Sequence, residues 1–262
     1  VLEEGINGHM ITLYDDKSHI PLLWTHLIPA TLEGKALHNV QNAMAAAVVA
    51  YAQGTQLNNI RQALRTFDAS YFQVPGRLNV YNDLPFKVIL DYAHNPAAVQ
   101  CMVDLVGRLD VPGRRLCVLS APGDRRDQDV LEIAQIAAKG TFDHVIVRRD
   151  DSLRGREPDE VPMLLQKGLI DAGYPASSIT VIIDEQDAVD HALKACIRGD
   201  LLLVLGDKVS RCWKQIVRHN VEGEDSVGDV LTPTDNESAL RTEAAFTVDA
   251  HLIADERGVR LA

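Results

Sequence analysis

Phe86-Lys87-Val88-Ile89-Leu90 leads straight into Asp91-Tyr92-Ala93-His94-Asn95-Pro96, and the junction between these two runs decides the architecture. The first is an apolar run of strand length. Pro96 then opens a helical apolar pattern through Ala97, Ala98, Val99, Met102, Val103, Leu105 and Val106. Proline is tolerated at a first helical turn because the N–H it lacks has no intrahelical partner. An Asp, a His and an Asn therefore stand where a strand's carboxyl end meets a helix N-terminus, the usual ligand position in an open α/β sheet.

Downstream, the same rhythm repeats. Strand patterns at Lys87–Leu90, Leu116–Ser120, His144–Val147, Thr180–Ile183 and Leu201–Leu205 alternate with helical patterns near 96–109, 127–139, 158–172, 185–198 and 208–218. Apolar strands in regular alternation with helices predict a doubly wound, mostly parallel sheet covered on both faces. Upstream, two strand patterns, His9–Tyr14 and Pro21–Leu27, flank the polar turn Asp15-Asp16-Lys17-Ser18. An apolar helix over 39–53 ends at Gly54, and a second runs from about Gln56 to Phe67, with Leu57, Ile60, Leu64 and Phe67 spaced for one face and Thr55 placed to cap it.

The patternless segment Asp68–Val74 marks a boundary, giving three parts: 1–67, 68–220 and 221–262. The last holds ten acidic and three basic residues, hence −7 of the formal −11, and reads as a partly flexible extension. Within it, Val248–Ile253 and Val259–Leu261 suggest a hairpin around Asp255-Glu256-Arg257-Gly258.

That negative balance argues against nucleic acid as a partner, since such binding needs basic surface. No run of 18 apolar residues and no signal peptide occurs, so the expectation is a soluble, cytoplasmic protein without a membrane partner. Cys101, Cys117, Cys196 and Cys212 are scattered through apolar segments and read as buried thiols. No H-E-x-x-H or Cys/His spacing supports a metal site, no G-x-S-x-G a hydrolase elbow, and no G-x-G-x-x-G a dinucleotide site. An association of identical chains stays open.

In a parallel sheet, the segments Asp91–Asn95, Gly123–Asp127, Arg148–Glu157 and Gly206–Lys208 would all leave by the carboxyl edge. Mixed charge there suits a reaction joining an anionic phosphate and a carboxylate to a cationic amino acid. Each residue also has a plainer reading. Asp91 could cap the following helix, and His94 and Asn95 could be turn residues satisfied by backbone. Asn39 could be a helix N-cap, whereas Asn42, one turn further in, is a mediocre helix former there. Arg125 and Arg126 near a helix N-terminus oppose its dipole by about 0.3–1 kcal/mol, which an anionic ligand would offset. Arg148, Arg149, Arg154 and Arg156 read as a solvated charge run, and Lys208 as catalytic support or ordinary surface.

Four blocks carry a family resemblance. Pro75-Gly76-Arg77 with Asp91 to Pro96, His38-Asn39-Val40-Gln41-Asn42-Ala43, Gly123-Asp124-Arg125-Arg126-Asp127 and Gly206-Asp207-Lys208 stand in one order over roughly Leu27 to His219. Together they resemble the Mur ligase superfamily, and within it most of all the carboxy-terminal half of the cyanophycin synthetases. The resemblance implies that 1–67 is the end of a central α/β ATPase domain and 68–220 the Rossmann-like carboxy-terminal domain. It also implies an ATP- and Mg²⁺-dependent, ADP-forming ligase that makes amide bonds through an acyl phosphate, adding arginine to the side-chain carboxylates of a polyaspartate chain. Another Mur-type ligase, a folylpolyglutamate synthetase, or a non-catalytic remnant that binds a nucleotide or polymer are the alternatives. By the same resemblance His38, Asn39, Asn42, Arg77, Asp91 and Asn95 would hold the nucleotide. Asp124, Arg125, Arg126 and Asp127 would meet the amino-acid substrate, and His94 and Lys208 would serve catalysis. The family's phosphate-binding loop, G-x-x-G-K-[ST], is absent, and the sequence starts without Met. The expectation is therefore a piece of a longer protein, inactive alone, whose phosphate cradle and Mg²⁺ ligands lie upstream.

Overall fold

The computed structural model describes residues 1–224, 252–255 and 258–261, which form two compact units divided between Gly223 and Glu224. The first unit opens with an antiparallel meander of β1 (Leu2–Gly5), β2 (Gly8–Asp15) and β3 (Ser18–Trp24). Asp15 pairs with Ser18, so Asp16-Lys17 is the two-residue turn, with Asp16 in the left-handed conformation such turns require. Two short 3₁₀ turns lead to α1 (Leu37–Ala52) and α2 (Leu57–Thr66). Ile11, Leu13, Leu22 and Leu23 of the meander form one core with Val40, Ala43 and Ala47 of α1 and Ile60 of α2.

Two details differ from the sequence reading. Thr55 does not cap α2, because the extended residue before that helix is Gln56, with no side-chain cap. Phe67 does not join the apolar face; it lies beyond the last helical turn and is exposed.

Next come β4 (Asn79–Tyr81), β5 (Lys87–Asp91), α3 (Pro96–Arg108), β6 (Arg115–Leu119), α4 (Asp127–Ala138) and β7 (His144–Val147). After them follow α5 (Glu160–Asp171), β8 (Ile179–Val181), α6 (Glu185–Ala195), β9 (Leu201–Leu205) and α7 (Val209–Glu224). The sheet order is β4-β5-β9-β6-β7-β8, parallel throughout except for β4, which pairs antiparallel with β5 at the edge. Helices α3, α4 and α5 bury Val99, Ile133 and Leu165 on one face, and α6 and α7 bury Val189, Cys212 and Ile216 on the other. Strand β9, Leu-Leu-Leu-Val-Leu, is buried over its whole length, as a strand covered on both faces requires. This is the mostly parallel α/β sheet that the alternation predicts.

Cys117, Cys196 and Cys212 are buried and Cys101 half-buried, all as free thiols, and burial pushes Cys196 and Cys212 up to about 12. Among the described residues no helix is long and apolar enough to cross a membrane.

In the second unit β10 (Leu252–Asp255) and β11 (Gly258–Leu261) pair antiparallel, the hairpin expected around Asp255–Gly258. The reading of 221–262 as a flexible extension falls largely on residues outside the described ones.

Candidate functional site

The carboxyl edge of the sheet is organised around Asp91, the last residue of β5. Its carboxylate, 7% exposed, accepts from the Leu78 N–H at 2.8 Å, while its own carbonyl accepts from Gly206 N–H at 2.9 Å. Asp91 therefore ties the Pro75–Leu78 turn to its strand and lies beside the turn after β9, rather than capping α3. Burial pushes its carboxyl above the ordinary range, opposed by the N–H groups of Leu78 and Ala93 and by Arg77. Asn95 is the residue that caps α3, its Oδ1 accepting from Ala98 N–H at 3.0 Å.

Arg77 is exposed, forms no ion pair among the described residues, and rests its guanidinium 5.8 Å from the centroid of the Tyr92 ring. The turn carrying it packs against α7: a Cβ on Gly76, whose φ is +72°, would stand 2.6 Å from a Val209 methyl. Across from the turn, α1 supplies His38, Asn39 and Asn42. Asn39 is not an N-cap, since Ala36 takes that position; its amide instead donates to the Ala30 carbonyl at 2.7 Å. Asn42 donates to Asn39 Oδ1 at 3.2 Å and is exposed. Burial holds the His38 imidazole below its ordinary pKa.

These two walls enclose a cavity of about 770 Å³ that His38, Asn39, Asn42, Arg77 and Asp91 line together. Its remaining wall is largely apolar, from Ala46, Ile60, Leu64 and Phe67 to Ala98 and Met102. Asn95 does not line it, nor do His94, Lys208 or the 124–127 loop. An apolar slot whose polar lining is side-chain amides, an arginine and a carboxylate suits a planar base bearing a sugar and an anionic group.

The other carboxyl-edge loops are laced together. Arg154 pairs with Asp124 at 2.6 Å, which holds the Asp124 carboxyl below its usual range. Arg156 pairs with Asp127 at 2.7 Å and donates to the carbonyls of Gly123 and Arg125 at 2.8 and 2.5 Å. The 123–127 loop also presses on the 148–157 loop so closely that a Cβ on Gly123 would stand 2.1 Å from the Leu153 carbonyl. Arg126 folds onto Asp129 of its own helix. Arg125 is the exception, forming no ion pair among the described residues and leaving its Nε buried without a partner.

Arg148 overturns its sequence reading: it is fully buried, not part of a solvated run. It pairs with Glu185 at 2.8 Å and Asp150 at 3.2 Å and donates to the Leu205 carbonyl at 2.6 Å. Glu185 is equally buried and also takes Arg211 at 2.5 Å and the N–H of Asp207 at 2.7 Å. Arg211 in turn grips Asp151 through two hydrogen bonds of 2.8 and 2.7 Å, which lowers the Asp151 pKa. Asp150 shifts upward, mainly through burial. Lys208 is exposed, its Nζ 3.4 Å from Asp207, and His94 donates from Nδ1 to the Tyr92 carbonyl at 2.9 Å.

Sequence reasoning did not find Glu185, Arg211 or Asn79. The first two lie in helical segments, and only the fold makes them partners of a residue in another segment. Asn79 stands in a segment with no legible strand pattern and left no signal. Among the described residues no group of three or more His, Cys, Asp and Glu side chains could hold a metal ion.

Comparison with known proteins places these features in a family setting. The model of the Mur ligase glutamate ligase domain matches residues 76–208. The cyanophycin synthetase of Synechocystis sp. is 40% identical over 225 residues, covering 82% of this chain and 25% of that protein. That of Crocosphaera subtropica is 37% identical over 193 residues, covering 74% and 22%. The chain thus spans about a quarter of the length of these relatives. Among solved structures, Mycobacterium tuberculosis folylpolyglutamate synthase, complexed with ADP and AMPPCP, has the same fold with a TM-score of 0.57 at 20% identity, over 82% of this chain and 46% of that one.

Proposed function

Because the chain belongs to the Mur ligase family through its glutamate ligase domain, we propose that it is the carboxy-terminal portion of an ATP-dependent, ADP-forming ligase that makes amide bonds. The observation that carries this reading is the cavity where Asn42 of α1 faces Arg77 and Asp91 across the junction of the meander-helix part with the sheet. In it, the side-chain amide of Asn42 suits the amino group and ring nitrogen of adenine. The Asp91 carboxylate, already accepting from backbone N–H groups, would use its remaining lone pairs to accept from a ribose hydroxyl, and Arg77 would supply positive charge for phosphate. The related fold of a synthase crystallised with ADP and AMPPCP supports a nucleotide as the occupant. ATP would supply the phosphoryl group that activates a carboxylate for attack by an amine. Mg²⁺ would accompany it, with ligands mainly outside this chain.

Residues 1–67 are then the end of a central ATPase domain, 68–220 the carboxy-terminal ligase domain, and 221–262 an added acidic extension. The likeness to cyanophycin synthetases favours arginine as the incoming amino acid and a polyaspartate side-chain carboxylate as its acceptor. Arg125 is the group of the 123–127 loop best placed to meet an anionic part of a substrate, because the acids and the other arginine of that loop are already engaged. His94 and Lys208 stand on neighbouring turns at the same edge, where they would steady reacting groups.

Two measurements test this. The 262-residue chain should bind ADP while releasing none from ATP with any amino acid, since no phosphate-binding loop is present in it. Amino-acid-dependent ADP release by this chain alone would contradict the proposed division of labour. In a longer protein carrying this sequence, ADP release should depend on arginine; dependence on diaminopimelate, alanine or glutamate instead would replace the substrate assignment.

A further inference from the structure

Asn79 is buried in the turn that presents Arg77, and no part of its side chain is free to meet a ligand. Its Oδ1 accepts from Gly76 N–H at 2.6 Å, and its Nδ2 donates to the carbonyls of Ala69 and Val74 at 2.9 and 3.0 Å. One side chain therefore ties together the 68–74 segment, the Pro-Gly-Arg turn and the edge strand β4.

The backbone it holds is strained. Gly76 lies at φ +72°, which glycine adopts freely; the strain falls on Leu78, a bulky residue only 1% exposed at φ +53°. Left-handed backbone at a buried leucine persists only where the surroundings over-determine it, and such positions gather at ligand-binding sites. Here the surroundings are Asn79 on one side and the Asp91 carboxylate on the Leu78 N–H on the other. Arg77, between the two left-handed residues, is the only residue of the turn whose charged side chain reaches the cavity.

We infer that Asn79 is a positioning residue: its amide holds the strained Pro75–Leu78 turn so that Arg77 faces the phosphate end of a bound nucleotide. This rests on the nucleotide reading above and adds to it a residue that touches no ligand. Relaxation of the turn would let the long Arg77 side chain sample directions away from the cavity, so the loss would fall on the anionic part of the ligand and spare the base.

The test is a double-mutant cycle on the 262-residue chain, titrated separately with ADP and with adenosine. Arg77→Ala and Asn79→Ala should each weaken ADP by about tenfold, the scale of one charged hydrogen bond. The double variant should bind ADP no worse than either single one, and adenosine affinity should stay within about twofold throughout. If Asn79→Ala does not fold, the isosteric Asn79→Asp, which keeps an acceptor for Gly76 N–H but loses both donors, carries the same comparison. Equal loss for ADP and adenosine, or multiplying losses in the double variant, would show a merely structural role and overturn the inference. Wild-type chain that binds neither ligand overturns the nucleotide reading itself.

Discussion

Around the cavity, Arg77 forms no ion pair among the described residues, Asn42 bonds only to its neighbour Asn39, and Asp91 shares its carboxylate with backbone N–H groups. Along the other carboxyl-edge loops and the first turn of α7, Arg148, Arg154, Arg156 and Arg211 are each engaged by at least one carboxylate. The second region has far more charge and far less of it free. Density of charged residues in a sequence is thus a poor guide to where a ligand binds; unfilled bonding capacity beside a cavity is the better one.

The largest effect that sharpens this contrast is at Glu185. Glu185→Ala leaves Arg148 buried without its main partner, which costs about 3–5 kcal/mol. The thermal midpoint should fall on the order of 10 °C. A drop no larger than that of a surface variant would break the comparison from the charged side.

Arg77→Ala should do the reverse, lowering ADP affinity about tenfold while stability changes by less than about 0.5 kcal/mol. Calorimetric titration beside a thermal melt reads both.

Asp91 comes next, through pH. Burial raises its folded pKa above the ordinary value of 3.8, so between those two values the folded chain binds more protons than the unfolded one. Its contribution is most favourable below 3.8 and is lost as pH rises through the folded pKa. Asp91→Asn keeps an acceptor for Leu78 N–H, so it should remove this decline from the stability–pH curve while weakening nucleotide binding. An unchanged curve would contradict the assignment of the raised pKa to Asp91.

Smallest of all, Arg126→Ala breaks an exposed pair with Asp129 and should cost less than about 0.5 kcal/mol in a urea titration.

The sheet was legible because buried parallel strands are continuous apolar runs; His144–Val147 and Leu201–Leu205 match their expected limits. Strand β4 was not, because three residues opening with asparagine carry no periodicity to detect. Capping positions went astray at Asn39 and Thr55, where a helix began three residues earlier, or one later, than its most polar candidate suggested. Arg77, Asp91 and the α1 amides drew notice in the sequence because they stand at element junctions, and the fold brings them to one cavity. The Arg148–Glu185–Arg211 cluster was invisible, because its members lie in three segments that only the folded sheet brings together.

The most direct test of the nucleotide cavity is an amide chemical-shift titration of the 262-residue chain with ADP. Saturable shifts are expected at Asn42, Arg77, Leu78 and Asp91, with the 148–157 loop unmoved. Shifts centred on 123–127 or 206–208, or none at all, would contradict it.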